Sequence, residues 1–302
     1  MSHTLLVQWT RRSAVAGALG LLASLGAAGA AVAQSNIAFS TTRDGVLIGN
    51  AEIYVMRSDG AEETRLTFDT DANLASDVEP TWSPDATRLA FRTGRSQAPA
   101  VVAGTFDGRD EVLADTNSPL TPEDWSPDGS LIAYTNSTRN TGADLWLLPL
   151  EKPRKPRVLL QTPANEWDAK FSPDSAWIAF TSNELGAPDV YVMRVDGSAK
   201  TRISVDGGSS PRWRRDGKEL YYLGADNRTL TAVSVEIGAG FKAGQSTRLF
   251  TMRSDAASRV GLRYAGYDAT PDGQRFLFSV ATAQPTTSRL TIVQNWAAAL
   301  HR

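Results

Sequence analysis

The chain has 302 residues with 31 basic and 33 acidic side chains, a formal charge of −2, and its 41% hydrophobic content is that of an ordinary globular protein. It has no cysteine, which excludes disulfides, thiolate nucleophiles and cysteine-held metals. Its two histidines, His3 and His301, stand near the chain ends, so Ser-His-Asp triads and histidine-held metals lose their usual residue.

In chain order, Arg11 and Arg12 come first, followed by the apolar run from Ser13 to Ala30 and then Ala31-Val32-Ala33 before Gln34. A basic region, an apolar region and an Ala-x-Ala site are the three parts of an export signal, so residues 1–33 are expected to be a signal peptide cut after Ala33. The paired arginines also resemble those of a twin-arginine signal, the general secretory route being the alternative. A retained transmembrane anchor is the competing reading, disfavoured by the Ala- and Gly-rich run and its cleavable end. Cleavage takes two arginines and no acid, leaving 29 basic against 33 acidic residues, a charge of −4. That balance speaks against nucleic acid as the main partner.

Residues 34–302 repeat themselves. "WSPDATRLAF" begins at Trp82, "WSPDGSLIAY" at Trp125, "FSPDSAWIAF" at Phe171, "WRRDGKELYY" at Trp213 and "ATPDGQRFLF" at Ala269. The aspartates of these units, Asp85, Asp128, Asp174, Asp216 and Asp272, are 43, 46, 42 and 56 residues apart. A period of about 40–45 residues is the mark of a propeller blade of four strands. Within the motif, Ser-Pro-Asp-Gly predicts a tight turn whose Asp caps the loop and whose Gly takes the left-handed conformation, with Ala86 and Ser175 in the Gly place of two units. The strand after the turn is apolar on both faces, as a sheet packed between two others requires. Trp82, Trp125, Phe171 and Trp213 hold one position and are expected to pack between blades.

Each unit continues with a strand such as "EIYVMRSDG" (from Glu52), "DLWLLPL" (from Asp144) or "DVYVMRVDG" (from Asp189), then a short outer strand such as "TRLT", "RVLL", "TRIS" or "TRLF". "EIGAGFKAG" and "MRSDAASRVG" lengthen the last spacing and read as extended loops. A further unit without its own turn begins at Asn36, and "RLTIVQNW" from Arg289 ends the series as another strand. The expected fold is all-β, a six-bladed β-propeller of four-stranded antiparallel blades, closed by pairing of the chain ends.

The W/F-S-P-D-G turn, the "IAF" strand, the D-x-Y-V-M-x-x-D-G strand and the "RLT" outer strand together resemble the TolB-like β-propeller family, from Ile37 to Trp296. The family's namesake carries a separate α/β domain ahead of its propeller, and no counterpart of it is seen between Gln34 and the first unit. The resemblance therefore implies a stand-alone propeller, with a place in cell-envelope maintenance as one expectation.

Three features suggest chemistry and have plainer readings. Trp167-Asp168 precedes the inner strand, where a WD-repeat dipeptide does not belong. "GAGFKAG" (from Gly238) has no helix after it to hold a phosphate and reads as a hairpin loop. "EKPRKPR" (from Glu151) reads as a solvated turn. The residues that open the inner strands are the better candidates. Glu79, Glu123, Asp124, Asp168 and Asp268 precede the turn motifs, with Lys170 and Arg212 among them, and are expected at one mouth of the central channel. Gathered there, the five acids would attract a cation or a basic peptide segment; the plainer alternative is that they pair with Lys170, Arg212 and neighbouring amides to hold the ring together.

The expected function is a periplasmic, monomeric, non-catalytic module that binds a protein or peptide of the envelope and carries no cofactor or metal. The rival is a carbohydrate-active enzyme working with channel carboxylates. The export reading is checked by N-terminal sequencing of periplasmic protein, which should begin at Gln34. Replacing both Arg11 and Arg12 by Lys should block export through a twin-arginine route and leave a general secretory route almost unaffected.

Overall fold

The computed structural model describes residues 6–9, 36–41, 51–57, 62–68, 77–93, 100–105, 110–115, 119–252, 267–280 and 289–294. Every regular element among them is a strand. The first sheet holds β1 (Leu6–Trp9), β2 (Asn36–Thr41), β3 (Glu52–Arg57) and β4 (Thr64–Arg65). The second holds β5 (Val78–Trp82), β6 (Arg88–Thr93), β7 (Ala100–Thr105) and β8 (Asp110–Asp115). The third holds β9 (Leu120–Trp125), β10 (Leu131–Thr138), β11 (Gly142–Pro149) and β12 (Arg157–Leu160). The fourth holds β13 (Glu166–Phe171), β14 (Trp177–Ser182), β15 (Asp189–Arg194) and β16 (Thr201–Arg202). The fifth holds β17 (Gly208–Trp213), β18 (Glu219–Gly224), β19 (Thr229–Ile237) and β20 (Phe241–Thr251), and the sixth β21 (Tyr267–Ala269), β22 (Arg275–Val280) and β23 (Arg289–Gln294). Each sheet is an antiparallel meander whose first strand lies beside the first strand of the next sheet, and β1 packs against both β5 and β21. This is a β-propeller architecture.

The turn chemistry is as the motif predicts. In the third sheet Asp128 Oδ1 accepts hydrogen bonds from the Ser126 hydroxyl at 2.6 Å and the Ser130 amide at 2.9 Å, while Gly129 sits at φ +79°. Ala86 and Ser175 occupy the same left-handed conformation at φ 55° and 62°, so the turn persists without glycine at a cost of about 1 kcal/mol each. The aromatics before the turns seal the junctions between sheets. Trp125 packs with Ala90 and Leu113 of the second sheet, Phe171 with Leu145 and Leu147 of the third, and Trp213 with Trp177 and Val192 of the fourth. β13 and β14 are buried along their whole length, which accounts for their lack of an alternating polar face.

Two expectations change, and a third falls outside the described residues. Of the two readings of this stretch, the structure takes the hairpin expected for "GAGFKAG" over the extended loop expected for "EIGAGFKAG": Val235 pairs with Ala243 and Ile237 with Phe241. The reason is that Phe241 stacks against Trp177 and Trp213, which holds the hairpin on the fold. "MRSDAASRVG" falls, beyond Met252, outside the described residues. Among the described residues the first and last strands do not pair with each other: β23 completes the sixth sheet on β22, and β1 joins β2 with Trp9 opposite Ile37. That register is the one seen for Trp125 and Ile132, so a segment placed inside the expected signal takes the inner-strand position of the first sheet.

Trp125→Ala should cost about 3–5 kcal/mol in chemical unfolding, by loss of a buried aromatic from the junction of two sheets. Ser175→Gly relieves the left-handed strain but removes the hydroxyl that accepts the Asp128 amide at 3.1 Å. Its stability should stay within about 1 kcal/mol of the parent in the same assay.

Candidate functional site at the mouth of the ring

The inner strands do not run straight. The pairing of β5 with β6, β13 with β14 and β17 with β18 is interrupted at one place, ahead of the last two residues of the inner strand. There Glu79, Asp168 and Ser210, three positions before the turn aromatic, adopt positive φ of 60°, 54° and 62°. Left-handed conformations at non-glycine residues cost energy, and here they form one repeated β-bulge. Ser210 shows how it is held: its amide is bonded by the Thr181 hydroxyl at 3.0 Å and its carbonyl by the Tyr267 hydroxyl at 2.7 Å.

Beyond the bulge, the residue directly before each turn motif reaches the mouth. Thr81, Asp124, Lys170, Arg212 and Asp268 all line a cavity of ≈ 270 Å³ there, with Arg215 and the prolines of the turns at its rim. Bases thus stand between acids around this opening. They also join neighbouring sheets. Asp124 Oδ2 accepts the Phe171 amide at 2.9 Å, the Lys170 ammonium donates to the Glu123 carbonyl, and the Trp213 indole donates to the Lys170 carbonyl at 2.9 Å. Arg212 donates to Asp168 Oδ1 at 2.8 Å, lies 3.9 Å from Asp268 and stacks 5.3 Å above the ring of Tyr267.

Of the five acids expected at the mouth, Asp124 and Asp268 line the cavity; Glu79, Glu123 and Asp168 do not. Glu79 is paired with Arg92 at 3.1 Å. Glu123 and Asp168 are each 2% exposed, beneath the mouth. The expected gathering of five acids with Lys170 and Arg212 among them is corrected in which acids face the opening: the bulged positions Glu79 and Asp168 and the buried Glu123 do not line it, while Lys170 and Arg212 take two of the five inner-strand positions that do. Burial, and after it the neighbouring Asp168 carboxylate, drive the Glu123 carboxyl up to about 8 against the opposing charge of Lys170 and the hydrogen bond from Thr135. Asp168 Oδ2 is buried with no hydrogen-bond partner. Lys170 and Arg212 were legible in the sequence only as interruptions of an acidic series; their signal was their position immediately before Phe171 and Trp213.

Among the described residues no helix is long and apolar enough to cross a membrane. The ring of bulged, antiparallel sheets around a central mouth defines a β-propeller protein. Its residues 105–294, more than half of the chain, match the family model described as "TolB beta propeller domain", and the chain belongs to that family. Relatives named "Tol-Pal system protein TolB" from Anaeromyxobacter dehalogenans (strain 2CP-C) and from Anaeromyxobacter sp. (strain K) are each 30% identical over 169 residues, 53% of this chain. That match covers 37% of the length of each relative. Among solved structures, TolB from Acinetobacter baumannii superimposes with a TM-score of 0.65 at 18% identity, over 86% of this chain and 61% of that one. An oligogalacturonate lyase in complex with manganese gives 0.59 at 15% identity, over 87% and 72%. Puromycin hydrolase gives 0.55 at 15%, over 85% and 41%; at these identities the likeness concerns the fold.

The raised Glu123 has a pH consequence. Its carboxyl stays protonated in the folded chain at pH values where the unfolded chain, near the ordinary 4.5, has already lost the proton. The unfolded state then binds fewer protons, so this group's effect on stability is nil below about 4.5, becomes steadily more unfavourable from there to about 8, and is constant above. Glu123→Gln, which mimics the neutral form, should be more stable than the parent at pH 9 and equal to it at pH 4, as read by unfolding across that range.

Proposed function

We propose that the chain is an exported, six-bladed periplasmic propeller whose charged mouth holds an extended segment of an envelope protein, without catalysing a reaction. Residues 1–33 are removed on export in this reading, and the folded module is a monomer. The observation that carries it is the ring of Asp124, Lys170, Arg212 and Asp268 about a cavity of ≈ 270 Å³. Acids and bases held rigidly by inter-sheet contacts offer fixed donors and acceptors to a peptide backbone and to side chains of either charge. The names of the curated relatives support a link to an envelope system of the Tol-Pal kind, and the sequence supports non-catalysis through its lack of a histidine between His3 and His301.

The test is a pull-down from envelope extract with the mature protein, read by mass spectrometry. A combined Asp124→Asn and Asp268→Asn variant should fold, lose the captured partner and show that the parent's binding weakens with salt. Glu123→Gln, which lies beneath the mouth, should retain it. Capture that survives the double change removes the mouth as the site.

A second reading has one observation behind it: Glu123, its carboxyl raised to about 8 by burial and by the neighbouring Asp168, belongs to a buried pair of carboxyls, the kind of group that glycoside-cleaving enzymes use. Turnover of any member of a glycan panel by the parent, abolished by Glu123→Gln, would establish it in place of the first.

A further inference from the structure

The acid near the start of the third strand of a sheet is neutralised in two sheets and not in a third. In the first sheet Glu52 is bridged by Arg65 at 2.7 Å and accepts the Thr67 hydroxyl at 2.5 Å. In the fourth, Asp189 is bridged by Arg202 at 2.9 Å and accepts the Ser204 hydroxyl at 2.7 Å. Arg65 lies opposite Tyr54 and Arg202 opposite Tyr191, two residues after the acid in each case. In the third sheet the acid is Asp144, the residue two further on is Trp146, and the position opposite it is Val158. The arginine of the sister sheets is therefore replaced by a side chain that cannot carry charge.

Nothing among the described residues makes up the loss. Asp144 is 0% exposed, and its Oδ2 accepts only neutral donors, the Thr141 hydroxyl at 2.5 Å and the Gln161 amide at 2.9 Å. Its Oδ1 is buried with no hydrogen-bond partner. Directly across the ladder from Asp144 is Asn136, 8% exposed, whose Oδ1 is also buried and unpartnered. Residues directly opposite in an antiparallel pair share a face, so these two oxygens are held on the same side of the sheet. Glu166, at the start of the next sheet, is 0% exposed, and its Oε2 is a third buried oxygen without a partner. The two segments are tied together by the Ala143 amide donating to Asn165 Oδ1 at 3.1 Å, and the Asp144 charge adds to burial in raising the Glu166 carboxyl.

Buried carboxylate oxygens without a hydrogen-bond donor are costly unless something positive joins them, and the one cation acting on Glu166, Lys200, is already paired with Glu184. A hydroxyl or amide network of oxygens only, with two carboxylates, suits a hard divalent cation rather than a transition metal. We propose that the end of the third sheet far from the mouth binds a divalent cation of the calcium class, with Asp144 and Asn136 as its core ligands and Glu166 as the second charge. The cation takes the electrostatic place that Arg65 and Arg202 fill in the first and fourth sheets. Among the described residues no three acids or histidines converge, so hydroxyl groups and water complete the shell.

The experiment is calorimetric titration of EDTA-stripped, dialysed protein with CaCl₂, and separately MgCl₂ and MnCl₂, with thermal unfolding followed in parallel. Calcium should bind and raise the unfolding temperature. Asp144→Asn should weaken binding at least tenfold. Val158→Arg, which rebuilds the sister-sheet pairing at a half-exposed position, should abolish binding while leaving the cation-free protein at least as stable as the parent. This second variant decides the matter if Asp144→Asn does not fold. Binding of none of the three metals, or binding that Val158→Arg leaves unchanged, overturns the proposal; so does a chain stabilised only by acid, which would mean that a shared proton settles the carboxyls. The Asp124→Asn and Asp268→Asn variant separates this site from the mouth, because calcium affinity should survive it.

Discussion

A four-stranded sheet with apolar side chains on both faces cannot stand alone in water. β13 and β14 are buried from end to end, and so are Ile132 and Ala133 of β10 and the valines of β15. The only stable solution is to cover each face with another sheet, and a set of identical units does this by closing a ring. Everything else follows from that constraint: the tight turns, the aromatic at each junction, and the crowding of the inner strands at the axis. Because sheets meet face to face rather than through shared backbone ladders, side chains must supply the specific ties. Asp124, Lys170, Arg212 and Trp213 supply them by bonding to the backbone or carboxylates of the adjacent sheet.

The mouth is thus part of the same mechanics. Its lining residues are charged and convergent, yet most are already engaged, so a ligand must meet a rigid pattern of charge. Rigidity of this kind favours binding of an extended segment with little reorganisation, since the entropy of ordering the site has been spent during folding. The left-handed residues Glu79, Asp168 and Ser210 are the local cost of aiming that pattern at the axis. The same fold surrounds a lyase and a hydrolase among solved structures, so the propeller frame does not choose between binding and catalysis.

Variation between the repeats is informative in its own right. Where one unit keeps an arginine over a buried acid and another substitutes valine, the fold still closes, so the acid of the second unit needs another source of positive charge. Glu52 and Asp189 have theirs in the chain; Asp144 does not.

The sequence by itself determined the strand-turn-strand unit, its period and its number of turn motifs, because Ser-Pro-Asp-Gly and the flanking aromatics act locally, through φ preferences and capping hydrogen bonds that need no distant partner. It also placed Asp124 and Asp268 at the mouth, since a fixed offset from the turn survives folding. Only the tertiary structure decided which acids are turned into the cavity and which lie beneath it. A bulge at Glu79, Asp168 or Ser210 shifts the facing of the residues before it, and no residue type in those places announces a left-handed backbone. What anchors the hairpin of "EIGAGFKAG" was hidden for a related reason: Phe241 packs against Trp177 and Trp213, residues 64 and 28 positions away. Such contacts exist only once the ring has brought distant segments together.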